Sequence, residues 1–189
     1  MEPHEIRRMR MNQLMLANGT MLIVIVIIFT LINIFTIKMP HFFFVIGVVI
    51  LFQAIFGFIK GDSTKSFIPI LEKVANYEKQ KMGGEWSKSQ KVGNGWSLAL
   101  SAVMFLQFYM TIDFEDYYFQ FEPILLLIMA MIIFVLLNTV MLLHFRKVDR
   151  STSESEMKGY TLKSNIGAAV GGVVFGLAMF VIIIYYVIS

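Results

Sequence analysis

The chain has 189 residues, of which 57% are hydrophobic and 15% charged, with no cysteine and a net charge of +3. Soluble domains carry roughly 45–50% and 25% respectively, so a water-exposed fold would have too little polar surface here, and lipid is the expected solvent. The absence of cysteine excludes disulfides, thiolate metal ligation and thiol nucleophiles, and the lack of arginine-aromatic interleaving leaves nucleic-acid binding without support.

Arg7, Arg8 and Arg10 precede the first apolar run, residues 21–37. No small-residue cleavage pattern follows it, because Lys38-Met39-Pro40-His41 comes next, so the run is expected to remain as a first membrane span rather than a removed signal peptide. Four more segments approach the roughly 17–25 apolar residues that a spanning helix needs. They cover residues 42–59, 96–112, 123–144 and 166–188. The reading is an all-α bundle of five transmembrane helices forming one domain over residues 1–189. The third span is the most polar, carrying Ser97, Ser101, Gln107 and Thr111.

Charge placement supports the count. Fifteen of the sixteen basic residues fall in the amino-terminal tail and in the segments after the second and fourth spans, whereas the other connections hold only Lys38. Lysine and arginine accumulate in cytoplasmic loops. The expectation is therefore a cytoplasmic amino terminus, an external carboxyl terminus, and antiparallel hairpins joining the first span to the second and the third to the fourth. The segment 66–82 places Phe67, Ile70, Leu71, Val74 and Tyr77 at helical spacing, with Lys73, Glu78 and Lys79 facing elsewhere. Pro69 suits its first turn and Gly83-Gly84 its end. It reads as an amphipathic helix lying on the inner membrane surface, with Trp86 and Trp96 as interfacial anchors; docking of a soluble partner is the competing reading.

A weak repeat relates Phe58 to Ser66 with Phe145 to Ser153, and Lys88 to Gly93 with Lys163 to Gly167, which would make span, polar loop and span a parallel unit. The plainer reading is that membrane exits share composition. The last span holds Gly167, Ala168, Gly171, Gly172 and Gly176, small residues at four-residue intervals that let helix backbones approach closely. Packing within the chain's own bundle is the plainer expectation, and a dimer or partner helix the sharper one. One amide sits in each of the first four spans: Asn33, Gln53, Gln107 and Asn138. They read as packing glue or, alternatively, as the lining of a polar path.

The loop from Asp113 to Glu122 is acidic but has too few carboxylates to specify calcium, which normally takes about 6–8 oxygens. No zinc, nucleophile-elbow or phosphate-loop motif occurs, and His4, His41 and His144 read as isolated interfacial side chains. No cofactor and no enzymatic activity are expected. The functional expectation is a multi-pass protein of a bacterial-type plasma membrane that acts as an accessory, regulatory or immunity-type subunit through helix-helix association. Its neighbours would be the lipid bilayer and a membrane-protein partner or further copies of itself. The alternative is a small oligomeric transporter or channel.

Overall fold

A computed structural model describes residues 2–35, 37–113 and 123–188, apart from the side chains of 32, 33, 123, 125, 126, 175 and 178–188. The described chain is all-helical: α1 (Pro3–Ile34), α2 (Met39–Lys60), α3 (Pro69–Met82), α4 (Gly84–Thr111), α5 (Pro123–Arg150) and α6 (Tyr160–Ile188), with a 3₁₀ turn at Glu154–Met157 between the last two. Local chemistry sets many of the boundaries. Pro3, Pro40, Pro69 and Pro123 occupy first turns, where the missing N–H costs nothing. Gly61 and Gly83 end α2 and α3 at φ values of 53° and 54°, a region L-residues avoid. The segment expected over 66–82 is helical over Pro69–Met82, with Phe67 outside the helix.

Three helices are long and apolar enough to cross a membrane, Pro3–Leu31, Met39–Lys60 and Leu127–Arg150, which makes this a multi-pass membrane protein in contact with lipid. The expected count of five is corrected to three among the described residues. In α4, the charges Glu85, Lys88 and Lys91 and the Gly93-Asn94-Gly95 stretch are followed by Ser97, Ser101 and Gln107, which dilute the apolar character. In α6, most side chains of the fifth expected span lie outside the described residues. The acidic loop also lies outside them beyond Asp113.

Two antiparallel pairs organise the long helices. Along α2 and α4, a Cβ on Gly57 would run into Asn94, Gly47 lies against Met104 and Phe105, and the Phe44 ring meets Phe105 and Phe108. The Ser101 hydroxyl, 1% exposed, donates to the Gly47 carbonyl at 2.9 Å. Along α1 and α5, Asn18 and Asn138 exchange amide hydrogen bonds of 3.0 and 2.9 Å, and Arg10 reaches Asp149. Among the described residues these are the pairings in extensive contact, and the expected hairpins of α1 with α2 and of α4 with α5 are not. Among the described residues, the pairing of α2 with α4 has no extensive counterpart between α5 and α6.

Burial runs opposite to that of a soluble protein. Apolar residues such as Leu22, Phe56, Met131 and Val135 face outward, as a lipid solvent permits. The buried apolar cluster lies instead at one end, where Met9, Val74, Tyr77, Met82, Trp86, Val148 and Met157 pack together. At this end meet the start of α1, the end of α2, all of α3, the start of α4, the end of α5 and the start of α6, and with them fifteen of the sixteen basic residues.

Gly47→Leu should separate α2 from α4, because even a Cβ there would stand 3.3 Å from Met104 Cβ. Overpacking of this kind costs about 1–3 kcal/mol, and a lowered melting temperature in detergent is the expected reading.

Candidate functional site

The basic end contains a buried charge cluster assembled from four helices. Its centre is Arg10, on the amino-terminal part of α1 and 6% exposed. One guanidinium nitrogen donates to Glu78 Oε1 of α3 at 2.6 Å and to Gln13 Oε1 at 2.9 Å. The other donates to Asp149 Oδ1 of α5 at 2.8 Å, with Nε 3.3 Å from both Asp149 oxygens. The rings of Phe145 and Tyr77 lie 4.4 and 5.4 Å from the guanidinium carbon. A planar cation with five donors is the side chain suited to this, since it satisfies two carboxylates and still stacks on aromatic faces.

Glu78 Oε1 also accepts from His144 Nε2 at 3.1 Å. A carboxylate can only accept, so Nε2 carries the proton; in the neutral ring, Nδ1 then accepts the Tyr160 hydroxyl, 2.6 Å away. The chain of contacts therefore passes from α1 through α3 and α5 to the first residue of α6.

Burial alone raises the Glu78 carboxyl, but hydrogen bonding and charge from His144 and Arg10 outweigh it and hold the group below its usual range. Tyr77 goes the other way. Its buried hydroxyl lacks a partner of good hydrogen-bonding geometry, and burial, reinforced by the nearby Asp149 carboxylate, pushes it up to about 12. Burial likewise raises Tyr160.

A second tie joins α4 to α6. The Glu85 carboxylate accepts the Thr161 backbone N–H at 3.1 Å, one of the donors left unpaired in the first turn of α6, while the Thr161 hydroxyl donates to the Glu85 carbonyl at 3.2 Å. The Lys88 ammonium, 2.8 Å away, and then Thr161 hold the Glu85 carboxyl down at about 2. Lys81 of α3 donates to the Ser151 carbonyl just beyond α5 at 2.7 Å. Among the described residues no three histidine or carboxylate side chains gather in a way that would cage a metal.

Several sequence expectations change here. α3 does not merely lie on a membrane surface: Val74, Tyr77, Glu78 and Met82 are buried against the other helices, while Phe67 and Leu71 are exposed. Trp86 is a core residue at 4% exposure, capped by Lys79 at 5.3 Å, whereas Trp96 is exposed. His144 belongs to the cluster instead of standing alone.

The three amides whose side chains are described do not converge. Asn138 pairs with Asn18, a residue the hydropathy reading passed over, Gln53 is exposed on α2, Gln107 is half-buried on α4, and the side chain of Asn33 lies outside the described residues. The stripe Gly167, Ala168, Gly171, Gly172 and Gly176 faces open space, with nothing within 4 Å of a Cβ built on any of its glycines. Packing of these residues within the described bundle is not observed. Comparison with known proteins gave no matching family model, no matching curated protein and no matching solved structure.

A group whose folded-state pKa is depressed contributes stability above its unfolded value and loses it as pH falls through the folded one. Glu78 is such a group, so melting temperature in detergent should be steady near neutrality and fall as pH drops below about 4. Glu78→Gln should shrink that acid limb without abolishing it, since Glu85 and Glu156 are also lowered. At pH 7, Glu78→Ala should cost roughly 3–5 kcal/mol by leaving a buried guanidinium short of a partner.

Proposed function

We propose that the chain is a non-enzymatic accessory, regulatory or immunity-type subunit of a bacterial-type plasma membrane, working through association of α6 with a helix of another membrane protein or a second copy. The observation behind this reading is the small-residue stripe of α6, which is exposed and unopposed. Close backbone approach through glycine is used inside the chain at Gly47 of α2. In lipid, where apolar burial does not drive helices together, such surfaces supply the dispersion contacts that do.

Orientation follows from charge. The end that gathers fifteen of sixteen basic residues faces the cytoplasm in this reading. Contact of Arg10 with Asp149 puts the start of α1 and the end of α5 at that end, where α2 also finishes. In this reading α4, which runs antiparallel to α2 but is less apolar than the three candidate spans, carries the chain back between α2 and α5. Its polar side chains are tolerated because they bond to backbone: Ser97 to Gly93, Ser101 to Gly47 and Thr111 to Gln107, at 3.2, 2.9 and 2.7 Å.

The size of the particle extracted in mild detergent tests the association. A dimer or a stable complex is expected, reduced to the single chain by Gly172→Leu combined with Gly176→Leu. A monomer without partner, unchanged by those substitutions, would remove the proposal.

A further inference from the structure

We propose that a cleft between α1 and α5 at the basic end binds one anionic phospholipid, its phosphate held by Arg7, Arg146 and Arg150 and an acyl chain lying over Met11, Leu14 and Leu142. The cleft has a volume of about 390 Å³ and is a shallow, largely open groove. Arg7, Arg146 and Arg150 line it, all exposed and, among the described residues, none engaged in an ion pair. Arg10 and Asp149 form part of the wall; because Arg10 is shared between Asp149 and Glu78, that set carries one net negative charge, and the three exposed guanidinium groups leave the cleft with an excess of positive charge. Guanidinium donors match phosphate oxygens in pairs.

Depth along the helices gives the cleft two chemically distinct halves. The antiparallel register of α1 and α5, fixed by Arg10 with Asp149 and Asn18 with Asn138, sets Arg7 beside Arg150 at the polar rim. Met11, level with Arg146, and then Leu14 and Leu142 lie further along, where both helices turn apolar; Met11 and Leu142 are exposed and Leu14 is half-buried. Cation above, hydrocarbon below and an opening to the side match a phospholipid with a negatively charged headgroup. A soluble phosphate would leave the apolar half empty, and a neutral lipid would leave the cations unpaired. Basic pockets between membrane helices are known to serve in this way. The proposal rests on the membrane setting of α1 and α5 and not on the association of α6.

The test is binding of phosphatidylglycerol to the full chain in neutral detergent, followed by native mass spectrometry and by melting temperature. Phosphatidylglycerol is expected to bind and raise the melting temperature, phosphatidylcholine and glycerol phosphate to do neither. Each arginine changed to glutamine should weaken binding by about fivefold, and Arg7→Gln, Arg146→Gln and Arg150→Gln together on the order of a hundredfold. Lys60→Gln with Lys91→Gln, which removes charge outside the cleft, should leave binding intact. Equal binding of phosphatidylcholine, an equal shift with glycerol phosphate, or equal loss from the lysine pair would overturn the proposal. Should the triple variant fail to fold, a photoactivatable phosphatidylglycerol on the unaltered protein decides the matter. Adducts confined to residues 7–14 and 138–150 are expected, and adducts scattered over all helices would contradict it.

Discussion

The Arg10 guanidinium is the constraint around which the polar end is arranged. Lipid offers apolar helices little reason to choose one neighbour over another, because hydrocarbon is as good a solvent for leucine as another leucine is. A buried cation does choose. Its desolvation is worth several kcal/mol and is offset only in the geometry that supplies both Glu78 and Asp149. With Phe145 and Tyr77 on its faces, Arg10 specifies where α3 and α5 lie against α1.

The rest of the polar end is built outward from that tie. Glu78 passes the constraint to His144 and so to Tyr160 at the start of α6, while Glu85 secures the next residue, Thr161. α3 thus acts as a clamp across the helix ends, its apolar side filled by Val74, Tyr77 and Met82 against Met9, Val148 and Met157. α6 is held at its first turn, and the glycine stripe beyond is left open. A fixed base beneath an exposed glycine stripe is the arrangement that the proposed association would use.

What could be read from the sequence, and what could not, divides along the range of the interactions. Whereas α1 and α4 begin well before their apolar runs, at Pro3 and Gly84, the apolar stretches of the long helices, Pro69 and Gly83 at the ends of α3, and the gathering of basic residues at one end follow from local periodicity, proline and glycine chemistry and charge counting. The charge cluster does not, because Arg10 and Glu78 are 68 residues apart and Arg10 and Asp149 are 139 apart. On a helical wheel Glu78 belongs to the polar side of α3, and only a distant arginine makes burial tolerable there. The same blindness hid Asn18, which precedes the apolar run yet lies within α1, because the charged residues 7–10 obscure a helix that begins at Pro3. Hairpins were expected from short connections, but connection length says nothing about which faces fit. Gly47 and Ser101 fit α2 to α4, and the paired asparagines fit α1 to α5.

Proximity of α1 to α5, and its dependence on Arg10, is the most direct measure of this account. The protein has no native cysteine, so Asn18→Cys with Asn138→Cys can be joined in native membranes by a short bifunctional maleimide. Rapid intramolecular crosslinking is predicted, slowed strongly when Arg10→Ala is added. Absence of the crosslink, or a rate indifferent to Arg10, would contradict the claim that this buried arginine organises the helices.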